Sequence, residues 1–224
     1  METEKRVPSI SSQLRRHLVT MPPEVFSASG IIIWGKRIKS LVFSTDLAVI
    51  RNCNADAVLA VYPFTPQQVI ADAIVQASYI PVFCGVGGGT TGGSRVIALA
   101  QDAEAEGAMG VVVNAPIKAD IIREVRSVID IPIVATVLSE TADYPSRIDA
   151  GASILNVSAA ERTPHVVSEI RKKYPDFPII ATGGPTSESI RRTVEAGANA
   201  ISYTPPTTAQ LFKEMMAGYR NQEW

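Results

Sequence analysis

Two cysteines and two histidines in 224 residues leave little material for metal or redox chemistry. Cys53 and Cys84 are too few for a disulfide framework or a cysteine-rich zinc centre. His17 and His165 stand far apart, with no HxH or HExxH spacing, so no zinc site is expected. Aromatic residues are also scarce, 6% against 46% hydrophobic overall, and Ala, Val and Ile make up much of the difference. That balance suits small-residue helices packed on buried parallel strands. Neither charge sign dominates: 21 Lys and Arg face 22 Asp and Glu, for a net charge of -1. Nothing in that total draws the chain to nucleic acid or to an acidic membrane. No run of about 18 uncharged apolar residues occurs, so no membrane span is expected. The opening "METEKRVPSISSQLRRHLVTMP" scatters its charges and has no apolar core of signal-peptide length. The expectation is a cytoplasmic protein with a small-molecule partner and no cofactor.

What the sequence does contain is repetition. "EGAMGVVVNAP" (106–116), "AGASILNVSAA" (150–160) and "AGANAISYTPP" (196–206) share one plan: a small-residue turn with glycine, an apolar run, then a polar break. Their glycines, Gly107, Gly151 and Gly197, lie 44 and 46 residues apart. A second series, "YIPVFCGV", "DIPIVATV" and "DFPIIATG", sets Pro81, Pro132 and Pro178 at the mouth of an apolar run, where a strand tolerates a missing N–H. Between these runs, stretches such as "KADIIREVRSVID" and "SESIRRTVEAGA" return apolar residues at three- and four-residue intervals, the helical period.

The pattern predicts eight strands near 40–45, 57–63, 80–86, 110–115, 131–138, 154–158, 178–183 and 200–204, alternating with helices. Alternation implies parallel strands joined by right-handed crossovers. Eight of them at a steady pitch fit a closed (βα)8 TIM barrel better than the rival doubly wound sheet. The class is therefore α/β, one domain over residues 1–224. Residues 1–38 are read as an N-terminal helix ("PSISSQLRRHLVTMP") and a β-hairpin with a Gly-Lys turn, and 39–224 as the barrel. Helix and hairpin are placed either as a cap on the N-terminal mouth or as a surface appendage.

In such a barrel the site is built at the C-terminal ends of the strands. Those ends are polar and mostly uncharged. Strand seven ends in "ATGGP", where Gly183 and Gly184 allow close backbone approach and Thr186 is placed to cap the next helix. The helix N-terminus there would offer N–H groups to a phosphate or similar anion. Strand eight ends in "YTPPTT", where Pro205 and Pro206 lack N–H groups and leave donors only in Thr204, Thr207 and Thr208. Asn114, Asn156 and Thr182 complete the polar ends, and Arg162 is a fork for an anionic group. These are the candidate substrate-binding residues. For proton transfer the candidates are Asp46 after strand one, Glu140 after strand five, and Cys84 if its thiol is activated. Each has a structural alternative, a dipole-satisfying carboxylate or a buried cysteine. The loop "CGVGGGTTGGSR" (84–95), with six glycines, reads either as a mobile lid or as a flexible connection. It is not a dinucleotide fingerprint, and no G-x-S-x-G elbow occurs.

The "ATGG" strand end paired with the "AGANAI" final strand resembles the phosphate-binding TIM barrels, among them thiazole synthase and N-acetylmannosamine-6-phosphate epimerase. The stretch "GKRIKSLVFST" is similar to the first hairpin of thiazole synthase, and the whole chain resembles a bacterial group of barrels labelled hydrolases. The resemblance implies a phosphorylated ligand at the mouth. It does not carry over a Schiff-base lysine: Lys36 and Lys39 precede the first barrel strand, and Lys118 stands past Pro116 at a helix start.

The leading expectation is an enzyme of isomerase or lyase type acting by proton transfer on a small phosphorylated or anionic metabolite. Two alternatives stand beside it: a hydrolase with carboxylate-activated water, and a non-catalytic metabolite-sensing barrel. The tail "LFKEMMAGYRNQEW" presents Met215, Met216 and Trp224, so a homo-oligomer is considered.

Overall fold

The structure, a computed structural model, describes residues 8–10, 12 and 18–221. Most of the stretch read as an N-terminal helix, with His17, lies outside the described residues, as does Trp224. After a 3-10 turn at Pro23–Ser27, β1 (Ile31–Ile33) and β2 (Lys36–Ile38) form an antiparallel hairpin, Ile31 opposite Ile38. Its turn centres on Trp34 and Gly35, one residue earlier than the predicted Gly-Lys pair. Both have positive φ, 47° and 78°, the conformation of the two-residue turn whose twist matches paired strands.

The barrel follows as β3 (Ser40–Phe43), α1 (Leu47–Arg51), β4 (Ala57–Ala60), α2 (Gln68–Ala77), β5 (Val82–Gly87) and α3 (Ser94–Ala105). It continues as β6 (Gly110–Val113), α4 (Ala119–Arg126), β7 (Ile133–Val137), α5 (Tyr144–Asp149) and β8 (Ile154–Val157). After a 3-10 turn at Ala160–Arg162 come α6 (Thr163–Lys173), β9 (Ile179–Thr182), α7 (Ser187–Glu195), β10 (Ala200–Tyr203) and α8 (Thr208–Asn221). All eight barrel strands fall on predicted runs. Their order is β10-β3-β4-β5-β6-β7-β8-β9, closed and parallel, with Ile201 beside Ser40 and Tyr203 beside Val42 at the seam.

Both sequence repeats have a physical origin. Gly107, Gly151 and Gly197 have φ of +91°, +109° and +105° and end α3, α5 and α7. Each lets the next residue's N–H turn back onto the helix: Ala108 to the Ala103 carbonyl at 2.9 Å, Ala152 to Arg147 at 3.0 Å, Ala198 to Thr193 at 3.3 Å. That closure needs a left-handed residue, which favours glycine. The prolines of the second series give up a donor but keep an acceptor. The carbonyls of Pro81, Pro132 and Pro178 receive Val58, Val111 and Leu155 N–H groups of neighbouring strands at 2.8, 2.9 and 3.0 Å.

Two apolar layers result. Outward-facing strand residues such as Val42, Val58, Val111 and Ile133 pack under the helices. Inward-facing Leu41, Leu59, Phe83, Val112, Val134, Ile154 and Ile180 fill the barrel, and Ile31, Ile33 and Ile38 of the hairpin belong to the same interior cluster. The hairpin is thus a plug for the N-terminal mouth and not an appendage. Gly30 N–H bonds the Asn199 carbonyl at 2.8 Å and Asn199 Nδ2 bonds Ser29 Oγ at 2.9 Å, which stitch it in place. With that end filled, open space remains at the other.

Ile38 is 1% exposed, so truncating it empties part of the plug. Ile38→Ala is expected to cost about 2–5 kcal/mol in urea unfolding. A loss below about 0.5 kcal/mol, the range of surface substitutions, would return the hairpin to appendage status.

Candidate active site

Each strand places alternate side chains in the barrel. Beyond the packed interior this alternation carries Asn114, Thr136, Leu138, Asn156, Ser158, Thr182, Ser202 and Thr204 into the C-terminal mouth. With Phe43, Leu59 and Val61 they line a central lobe of about 350 Å³. Two lobes flank it. One, of about 610 Å³, lies against Ser44, Thr45, Asp46, Tyr62, Pro63, Pro205, Pro206 and Thr207. The other, of about 250 Å³, lies against Tyr62, Phe64 and the glycine loop from Gly85 to Thr90. All three share Val61 and Asn114. Among the described residues Asp46 is the one charged side chain lining any of them.

A chain of uncharged groups crosses the central lobe. Asn156 Nδ2 donates to Thr136 Oγ1 at 3.3 Å, and that hydroxyl donates to Asn114 Oδ1 at 3.1 Å. Behind the strand Arg147 donates to the Thr136 carbonyl. Burial pushes the Arg147 guanidinium below its usual pKa, with nearby Asp143 opposing the shift. Asn156 is 7% exposed, yet its Oδ1 is enclosed without a partner. A buried acceptor left so costs about 1–3 kcal/mol, which a ligand donor or a water would recover.

Asp46 is held from three directions. As N-cap of α1 it accepts from Ala48 N–H at 2.8 Å and Val49 N–H at 3.3 Å through Oδ1, while Thr208 donates to Oδ2. The Thr208 hydroxyl and the two backbone donors hold its carboxyl below the usual range against some desolvation. Asp46 is therefore ionised at neutral pH. Glu140 sits across the mouth, after β7, in an ion pair with Arg162. Its own backbone N–H, the Arg162 guanidinium and His165 keep it ionised against desolvation. The two carboxylates do not meet, and no group of three or more His, Cys, Asp or Glu able to share a metal ion occurs among the described residues.

The other predicted residues divide cleanly. Asn114, Asn156, Thr182, Thr204 and Thr207 line the mouth. Cys84 does not: on β5 it alternates with inward Phe83 and Gly85, so it points into the helical layer at 1% exposure. Burial, with Asp72 adding, pushes its thiol up to about 12, which corrects the activated-thiol expectation. Arg162 meets Glu140 through one guanidinium nitrogen and lines none of the three lobes. At the β9–α7 turn Thr186 and Ser189 form a reciprocal capping box, Ser189 N–H to Thr186 Oγ1 and Thr186 N–H to Ser189 Oγ, both at 3.1 Å. That pair uses two of the donors counted for an anion beside Gly183 and Gly184 and leaves the Ser187 and Glu188 N–H groups. Thr207 is likewise engaged with Gln210, and Thr208 with Asp46. Sequence reasoning missed Thr136 and Ser202, although the step of two from Val134 and Ala200 points to both.

The glycine loop has a reason for at least one of its glycines. A Cβ on Gly88 would stand 1.9 Å from the Asn114 carbonyl oxygen, and Gly88 has φ of +95°. The loop is fastened there by Asn114 N–H to Gly87 O at 2.8 Å and Gly89 N–H to Pro116 O at 3.1 Å. This close packing holds the Asn114 backbone at the junction of all three lobes.

No protein-family model matches the chain, and no curated protein matches it in sequence. Among solved structures it is similar to phosphoenolpyruvate phosphomutase from Streptomyces platensis subsp. rosaceus, at 13% identity and TM-score 0.61, over 89% of this chain and 84% of that one. It is similar to phosphonopyruvate hydrolase in complex with oxalate and Mg²⁺, at 13% identity and TM-score 0.61, over 85% of each chain. It is also similar to dihydrodipicolinate synthase from Agrobacterium tumefaciens str. C58, at 14% identity and TM-score 0.58, over 85% of this chain and 73% of that one. The chain is a (βα)8 barrel. Three differently named enzymes at this level of identity share its architecture, which leaves the chemistry to the mouth itself.

Asp46 links α1 to α8 more strongly when charged. A carboxyl whose folded pKa is depressed contributes stability above its unfolded pKa and loses it as pH falls through the folded value. Asp46→Ala is therefore expected to cost about 0.5–2 kcal/mol at pH 7, the price of an N-cap. Its deficit against the wild type should shrink steadily in denaturation curves taken at acid pH. A deficit independent of pH would mean that the charge contributes nothing.

Proposed function

We propose that this protein is an enzyme of isomerase or lyase type that binds a small metabolite in the C-terminal mouth and moves a proton through Asp46. The supporting observation is that Asp46 is the one charged side chain lining the mouth among the described residues, ionised and fixed by three donors. A general base needs a defined position and a free lone pair toward the substrate. Its low pKa makes it a weak base, so it suits an acidic C–H or O–H next to a carbonyl rather than an unactivated carbon. The neutral amides and hydroxyls of the central lobe supply orientation. An anionic substituent would rest on the unspent Ser187 and Glu188 N–H groups at the start of α7, the helix that follows β9 and its Thr182, while the Glu188 carboxylate is turned to Arg191. The fold neighbours named for phosphoenolpyruvate and phosphonopyruvate give this substituent a precedent among barrels of the same architecture.

A second reading, a metabolite sensor without turnover, is favoured by a specific observation. Each proton-transfer candidate is engaged elsewhere: Asp46 in a cap, Glu140 with Arg162, Cys84 in the helical layer.

Solvent exchange separates the two. In D2O with a panel of sugar phosphates and 2-oxo acids, the wild type is expected to incorporate deuterium into at least one compound. Asp46→Asn, which keeps a capping oxygen, should slow that incorporation by about 10²–10⁴ while leaving binding unchanged. Binding without incorporation by either protein selects the sensor. For the anionic substituent, about 10 mM inorganic phosphate should raise the melting temperature by an amount that sets its Kd. No shift at that concentration removes it.

A further inference from the structure

We infer that the central lobe recognises a neutral edge of the ligand, one N–H or O–H donor beside one acceptor as in a lactam, amide or ureide, and that Thr136 sets this specificity. This rests on the mouth being the ligand site and deepens that reading. Asn114 and Asn156 both bond to the single hydroxyl of Thr136. A hydroxyl has one proton to give and two lone pairs to receive. With Thr136 donating to Asn114 and accepting from Asn156, the Asn114 NH₂ and the Asn156 carbonyl oxygen are the groups left over for a ligand. Exchanging oxygen and nitrogen on both amides reverses the chain and again leaves one donor and one acceptor. Both amides can show carbonyls if each gives an N–H to the hydroxyl. Both cannot show NH₂ groups, because that needs two protons from one O–H.

The pair therefore always contains an acceptor, and an acceptor-only anion spanning it always meets a repelling oxygen. Asn156 lines the lobe and is 7% exposed; its unpartnered Oδ1 is enclosed, so a ligand donor meets this acceptor when the amide turns outward. No Lys or Arg lines the lobe to outweigh it among the described residues. Apolar side chains share the lining: Phe43 and Leu138 are 37% and 52% exposed, and with Val61 they offer faces for a ring. A planar, uncharged ring with an N–H beside a C=O fits this lining. Ser158, Thr182, Ser202 and Thr204 have hydroxyls that can turn to serve either polarity.

The test uses probes that differ in one property. Uracil and hydantoin carry the donor–acceptor edge, 1,3-dimethyluracil keeps ring and carbonyls but has no N–H, and oxalate and inorganic phosphate only accept. Binding is read from the side-chain amide resonances of Asn114 and Asn156 in the intact protein. At least one of the N–H probes is expected to bind about tenfold or more tightly than dimethyluracil, the discrimination of one well-placed buried hydrogen bond. Thr136→Val, of nearly equal volume, should bring that ratio close to one, and Thr136→Ser should keep it. The wild-type ratio alone decides if the valine variant does not fold. The proposal is overturned if N-methylation costs nothing, if oxalate or phosphate moves these two amides at lower concentration than the N–H probes, or if neither N–H probe moves them at about 10 mM. Asp46→Asn should leave the ratio intact. A preserved ratio without deuterium incorporation would sink the proton-transfer reading and leave this one standing.

Discussion

Everything in this molecule depends on the seam between β10 and β3. Ile201 beside Ser40 and Tyr203 beside Val42 turn an open row of parallel strands into a ring. Closure removes both sheet edges, whose unpaired N–H and C=O groups would otherwise need water or another partner. It also aims eight carboxyl ends at one point. Residues as distant in sequence as Phe43 and Thr204 then line the same lobe. The hairpin completes the arrangement by filling the amino end with isoleucine.

The mouth is short of charge because the available charges are used to hold the rim. Asp46 ties α1 to α8 through Thr208. Glu140 and Arg162 pair across the loops after β7 and β8. The capping boxes at Thr186 and Thr207 close two more helix starts. An exposed pair of this kind contributes little stability by itself. Its consequence is chemical: what stays free to meet a ligand is mainly amide and hydroxyl. Groups of that sort discriminate by matching donors to acceptors, since a mismatched buried group keeps its full desolvation cost.

Much of the architecture was legible because its signals are local and repeated. The helix-ending glycines at 107, 151 and 197 and the strand-opening prolines at 81, 132 and 178 act within a few residues of themselves. The capping boxes were legible too, since Thr186 with Ser189 and Thr207 with Gln210 are three residues apart. Cys84 shows the limit of reading strand ends as sites: which face a residue takes is settled by parity within the strand, and parity needs one fixed neighbour such as inward Phe83. The pairing of Glu140 with Arg162, and of Asp46 with Thr208 across 162 positions, left no trace that one sequence could reveal.

The amino-acid sequence by itself determined the period, the number of units, the parallel direction and the uncharged character of the strand ends. Hydrophobic spacing and turn chemistry act over short stretches and survive without the fold. Only the tertiary structure decided that the hairpin is a plug, that Cys84 faces away, and that Asn114 and Asn156 both bond to the one hydroxyl of Thr136. Those facts follow from ring closure and strand register, which bring together side chains whose separation along the chain carries no information about their contact.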